Sequence, residues 1–192
     1  MYKYFSIIFI LGLFFLCACS PMGAIVTTTS AGAVVAESDR SVGEAVDDAG
    51  IKIKIVEKFA KSKSGIFLDI NSSIRLGTVL LTGIVETQEI RIEAIRLVWE
   101  IDGVKEVINE IEIGNKQNIK QYTQDLWISS RVRGKTLSEI GLDIITYNFE
   151  TINGKVFVMG VASNLEESDK IIRVIKTVKG VKEISNHIII RK

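Results

Sequence analysis

The chain writes one 77-residue unit twice. When residues 48–113 are laid without a gap on residues 125–190, 17 of 66 positions are identical. The pairs include Asp48/Asp125, Ile51/Ile128, Asn71/Asn148, Gly77/Gly154, Val79/Val156 and Gly83/Gly160. The densest run sets Gly103-Val104-Lys105-Glu106 on Gly180-Val181-Lys182-Glu183, followed by Asn109/Asn186. A repeat at fixed offset constrains architecture before any local pattern does, because both copies must adopt one supersecondary unit. Each copy, about 70 residues long, is small but sufficient for a core of its own.

The first residues belong to neither copy. Lys3 is a short basic region, and Tyr4 to Leu16 is a nearly unbroken apolar run. It is too short for a membrane-spanning helix and suits the h-region of a signal peptide. The run ends in Leu16-Cys17-Ala18-Cys19, which looks like a bacterial lipobox. The expectation is a signal peptide over 1–18 and a lipidated Cys19, whose thiol takes a diacylglyceryl group and whose freed amine is acylated. Several acyl chains hold a protein firmly where one is marginal. Ser20, rather than Asp, points by analogy with lipoprotein sorting to the periplasmic face of the outer membrane. The alternative is an ordinary secretory signal, with Cys19 unmodified and the protein soluble in the periplasm. Cys17 leaves with the signal peptide, so no disulfide framework is expected and the domains must stand on their cores.

Residues 20–45, rich in Ser, Thr, Gly and Ala, read as a flexible tether. Residues 46–114 form the first domain, 115–122 a linker and 123–192 the second domain. Each copy reads helix, strand, strand, helix, strand. The first helices carry apolar stripes Ile51, Ile55, Val56, Phe59 and Ile128, Val132, Leu137, Ile140. Asp47 or Asp48, and Thr123 or Asp125, are expected at their starts, where they could cap the backbone. Strands over Ile144 to Ile152 and Lys155 to Ala162 flank Asn153-Gly154, a strong hairpin signal; copy one keeps the glycine in Leu76-Gly77. The second helices, about 89–101 and 166–178, carry Ile92, Ile95, Val98, Trp99 and Ile171, Ile172, Ile175, Val178. The closing strands line up Val107, Asn109, Ile111, Ile113 and Ile184, Asn186, Ile188, Ile190. The fold class is α+β: two tandem αββαβ domains, each a three-stranded mixed sheet with two helices packed on one face.

The element order, the strand-ending glycine and the helix followed by Gly-Val-x-x-Val/Ile-x-Asn resemble the BON domain. Two such units behind a lipobox are similar to the dual BON-domain lipoproteins of Gram-negative outer membranes. The resemblance covers nearly all of the chain beyond the tether. It implies periplasmic residence, binding of anionic phospholipid by the second domain, and support of envelope integrity. Less directly, it implies a link to the outer-membrane protein assembly machinery.

The copies differ in charge. Residues 46–115 hold nine basic and twelve acidic residues, a net −3; residues 123–192 hold eleven and eight, a net +3. Trp127 stands opposite Gly50 of copy one and one residue off the Ile128 stripe, roughly 100° around the helix. With Arg131, Arg133 and Lys135 nearby, it suits a membrane interface, the indole at headgroup depth and the cations on phosphates. The competing readings are packing of Trp127 against the other domain or the linker, and a merely solvated basic face. Copy one has a denser run (Lys52, Lys54, Lys58, Lys61, Lys63) but no exposed aromatic on that helix. Trp99 is assigned to core or inter-domain packing, and His187 to solvent. A single His leaves no metal cluster, and phosphate-binding and catalytic motifs are missing. The chain is therefore expected to be no enzyme, to need no cofactor or metal, and to bind no nucleic acid. A scaffold that binds protein without recognising lipid is the alternative function.

Overall fold

A computed structural model describes residues 42–62, 66–115 and 118–191, all within one compact unit, Ser38–Lys192. The expected signal peptide, Cys19 and most of the tether lie outside the described residues. The first repeat runs α1 (Val42–Lys61), β1 (Ile70–Arg75), β2 (Thr78–Val85), α2 (Gln88–Trp99) and β3 (Glu106–Ile113). The second runs α3 (Ile119–Ile140), β4 (Asn148–Ile152), β5 (Lys155–Ala162), α4 (Leu165–Lys176) and β6 (Glu183–Ile190). Each sheet has the middle strand antiparallel to the first and parallel to the third. The parallel pair requires a crossover, which α2 and α4 supply.

Side-chain alternation along the central strand splits each domain into two faces. Val79, Leu81 and Val85 meet Ile51, Ile55, Phe59, Ala94 and Val98 in the first core. Val156 and Val158 meet Ile128, Val132, Ile171 and Ile175 in the second. The other faces, free of helices, pack on each other. Leu80, with Ile84 and Ile108, closes on Ile152, Phe157 and Met159 in a third apolar cluster. The same face of both repeats makes this contact, so Glu110 and His187, which share a repeat position, meet across it with Nε2 at 3.0 Å from Oε1. The domain order is thus helices, sheet, sheet, helices.

The glycines at 83 and 160 admit close neighbours: a Cβ there would lie 2.1 Å from the Asp69 carbonyl oxygen and 2.1 Å from Tyr147 Cδ1. The hairpin turns place Leu76 and Asn153 at φ 54° and 53°. Their inward N–H groups find one acceptor each time. Asp48 accepts from Leu76 N and Gly77 N at 3.1 and 3.0 Å, and Asp125 from Asn153 N and Gly154 N at 2.8 and 2.9 Å.

That pairing corrects the expected capping role of Asp48 and Asp125. Both lie inside their helices, because α1 is already formed at Val42 and α3 starts at Ile119 behind an Asn118 cap. Half of the expected linker is therefore helix. Thr136, not Leu137, completes the buried stripe of α3, while Leu137 is exposed. In α2 the buried pair is Ala94 and Val98, leaving Ile92 and Trp99 outside, the latter 52% exposed. Trp99 is thus not a core residue. The first strand of the second repeat starts at Asn148; Leu142–Thr146 form a 3₁₀ turn, since Gly141 ends α3 at φ 101°.

Candidate functional site

The candidate surface is built on α3, a 22-residue helix, about 33 Å long. Ile128, Val132 and Thr136 bury one face. The Thr136 hydroxyl escapes an unpaired state by donating to the Val132 carbonyl at 2.7 Å. Trp127 flanks that face. It is 48% exposed, and the Arg131 guanidinium carbon stacks 4.6 Å from the ring centroid. The indole edge reaches the loop at Gly180. Trp127 therefore packs in part within its own repeat, on Arg131 and beside the Gly180 loop.

Arg131 and Lys135 share a shallow depression with Gly134, Ser138, Thr177 and Val178. Lys135 also lies 3.7 Å from Glu139. Arg133 points elsewhere, being about 120° around the helix from Trp127. Its guanidinium reaches the Phe149 carbonyl at 3.4 Å and lines a cleft of about 540 Å³ along the seam between the repeats. The structure thus groups Trp127, Arg131 and Lys135 and separates Arg133 from them.

Lys52 lies on the opposite wall of this cleft, donating to the Ser72 carbonyl at 2.6 Å. Burial lowers its pKa, against a partial rise from Glu150. Ser72 and Phe149 occupy one repeat position, so a cation from each first helix caps the same outer-strand carbonyl. The rest of the lysine run of copy one is largely committed too. Lys58 pairs with Glu100 at 2.8 Å and Lys61 with Glu57; Lys63 lies outside the described residues. Among the described residues no ion pair holds Arg131.

Sequence reasoning missed a second apolar ridge on α3. Ile119, Tyr122, Leu126 and Leu137 are all exposed, on the side away from the core. The spacing 119, 122, 126 was a visible helical signal. It was hidden because residues 115–122 read as linker and Leu137 as core. His187 is the other reversal: its side chain is 14% exposed, not solvent-facing. It shares Glu110 with Ser185, whose hydroxyl donates at 2.6 Å, and with Lys155 at 3.3 Å.

Among the described residues no cluster of three potential ligands could hold a metal, and no helix is long and apolar enough to cross a membrane.

Two αββαβ units with identical strand register, joined through their sheets, define a tandem-domain protein of the BON class. The BON domain model matches residues 47–115 and 124–192, and the chain belongs to that family. A protein encoded in the gshII 5′ region of Anaplasma centrale is 34% identical over 144 residues, 74% of this chain and 94% of that one. The outer membrane lipoprotein DolP of Haemophilus influenzae is 28% identical over 80% of this chain and 88% of its own. Osmotically-inducible protein Y of Escherichia coli is 27% identical over 83% and 81%.

Proposed function

We propose that this chain is a non-catalytic envelope lipoprotein, anchored through Cys19 to the periplasmic face of the outer membrane. There it binds anionic phospholipid through α3 and supports outer-membrane integrity. The observation that carries the reading is the outer surface of α3. A half-exposed Trp127 stacks on Arg131, and exposed apolar side chains (Ile119, Tyr122, Leu126 and Leu137) stand further round the solvent side of the same helix. Apolar groups that enter the headgroup layer, beside cations that meet phosphates, are what an interfacial helix requires. The first helix of copy one is richer in lysine, but Lys52, Lys58 and Lys61 are engaged within the protein. The similarity to an outer membrane lipoprotein supports the compartment.

The test is flotation with vesicles containing phosphatidylglycerol or only zwitterionic lipid, using the chain from residue 19 with Cys19→Ser so that no acyl chain contributes. Preference for the anionic vesicles is expected, and Trp127→Glu should weaken it about tenfold. Equal binding to both vesicle types, or an inert Trp127→Glu, removes the reading.

A second reading has its own observation. Ile92 and Trp99 stand exposed on α2 of the first repeat, where the second repeat has Asp169 and Lys176. That apolar pair suits a protein contact, such as one with the outer-membrane protein assembly machinery. Crosslinking from position 99 in intact cells distinguishes it, since a protein adduct there is required.

A further inference from the structure

We propose that the bilayer-contacting surface crosses the seam between the repeats, with Leu68 of the first repeat inserting beside Tyr122 and Leu126 of the second. The inference rests on the lipid reading above and adds a contributor from the other domain. Leu68 lies on the one-turn helix Ile66–Asp69 and is 85% exposed. It lines a cleft of about 200 Å³ together with Asp69, Gly83, Tyr122 and Thr151. Tyr122 also lines the larger seam cleft, with Leu126 and Arg133. Leu68, Tyr122 and Leu126 therefore form one apolar track from the first repeat onto α3, where Ile119 is exposed as well.

The occupant follows from what borders the track. Arg133 lines the adjoining cleft, and Lys120 is exposed at the start of α3. The carboxylates in the same cleft face inward. Glu150 accepts from Asn71 and Thr82 across the seam, and Asp125 accepts from the hairpin turn. An apolar track bordered by Arg133 and Lys120, with Glu150 and Asp125 engaged by partners within the protein, complements an anionic bilayer surface, whose interior accepts leucine and whose interface suits tyrosine.

The experiment repeats the flotation with Leu68→Asp. As a control, Ile92→Asp removes an equally bulky exposed side chain from α2 of the same repeat, which lines neither cleft. Leu68→Asp should reduce binding to phosphatidylglycerol vesicles about tenfold, with Ile92→Asp within about twofold of the parent. Both positions are exposed, so the thermal melt by circular dichroism should stay unchanged. Unaltered binding by Leu68→Asp overturns the inference, as does an equal loss in Ile92→Asp. If Trp127→Glu weakens binding while Leu68→Asp does not, the lipid reading survives and the seam-crossing surface fails. A parent chain that ignores the vesicles takes both down.

Discussion

Leu76 sits at φ 54° in a turn where its repeat partner Asn153 sits at φ 53°. A branched apolar residue in the left-handed region costs about 1–2 kcal/mol, a penalty that asparagine largely avoids. The first repeat tolerates it because Asp48 holds both turn N–H groups and Leu76 keeps part of its side chain covered. Leu76→Asn should therefore stabilise the protein by about 0.5–1 kcal/mol, the strain relieved minus the burial lost. Urea unfolding checks it: the midpoint should rise at constant slope, and an unchanged or lower midpoint contradicts it. The Asp48/Asp125 identity was legible as a repeat position, but its role was not. Sequence proximity to a helix start suggested a cap, whereas the carboxylate's partners lie 28 and 29 residues away.

At the scale of elements, the Asn109/Asn186 signature is explained by the third strand of each sheet. β3 and β6 are edge strands, and an edge presents unpaired N–H and C=O groups to any other strand. Asn109 accepts from Ile111 N at 3.2 Å and Asn186 from Ile188 N at 3.0 Å. Arg91 approaches the Ile111 carbonyl on the same edge at 3.5 Å. Each asparagine thus fills a site that an incoming strand needs. Replacing both, Asn109→Val with Asn186→Val, should open two Ile-rich edges and produce dimers or larger species. Light scattering at increasing concentration would read this, and a strictly monomeric double variant rules it out. Helix α3 shows the limit of pattern reading at this scale. Its core stripe was visible at Ile128 and Val132, but Leu137 outranked Thr136 on hydrophobicity alone. The structure buries the threonine because it bonds back to Val132.

For the molecule as a whole, the two sheets hold each other through apolar contacts and a polar rim. Glu110 is central to that rim. Burial alone pushes its carboxyl above the ordinary value of 4.5, but the Ser185 hydroxyl, Lys155 and His187 bring it below. A carboxylate depressed in the folded state stabilises above its unfolded value and loses that contribution as pH falls through the folded one. Burial pulls Lys155 down, and Glu183 and Glu110 raise it above 10.5, so its contribution is present below that value and lost as pH rises through the folded one. The seam is therefore held best between these limits. Glu110→Gln should shrink the drop in melting temperature between about pH 6 and about pH 3.5. An acid limb as steep as in the parent would mean that Glu110 does not contribute to it.

Repeat and periodicity were enough for the unit, its doubling, its mixed sheet and its helical layer. Those features follow from local alternation and turn chemistry, which a linear pattern carries. The face-to-face docking of the sheets was not legible. Leu80, Phe157 and Met159 alternate with core residues along buried strands, and apolarity on both faces says only that both are covered, not by what. The same docking moved His187 from solvent into a seam and brought Leu68 to Tyr122 across 54 positions of chain, whereas Arg133 lies away from Trp127 through helix phase alone. Charge and aromatic content singled out α3 in the linear chain; which of its side chains share a surface depended on helix phase and on the neighbour that the fold supplied.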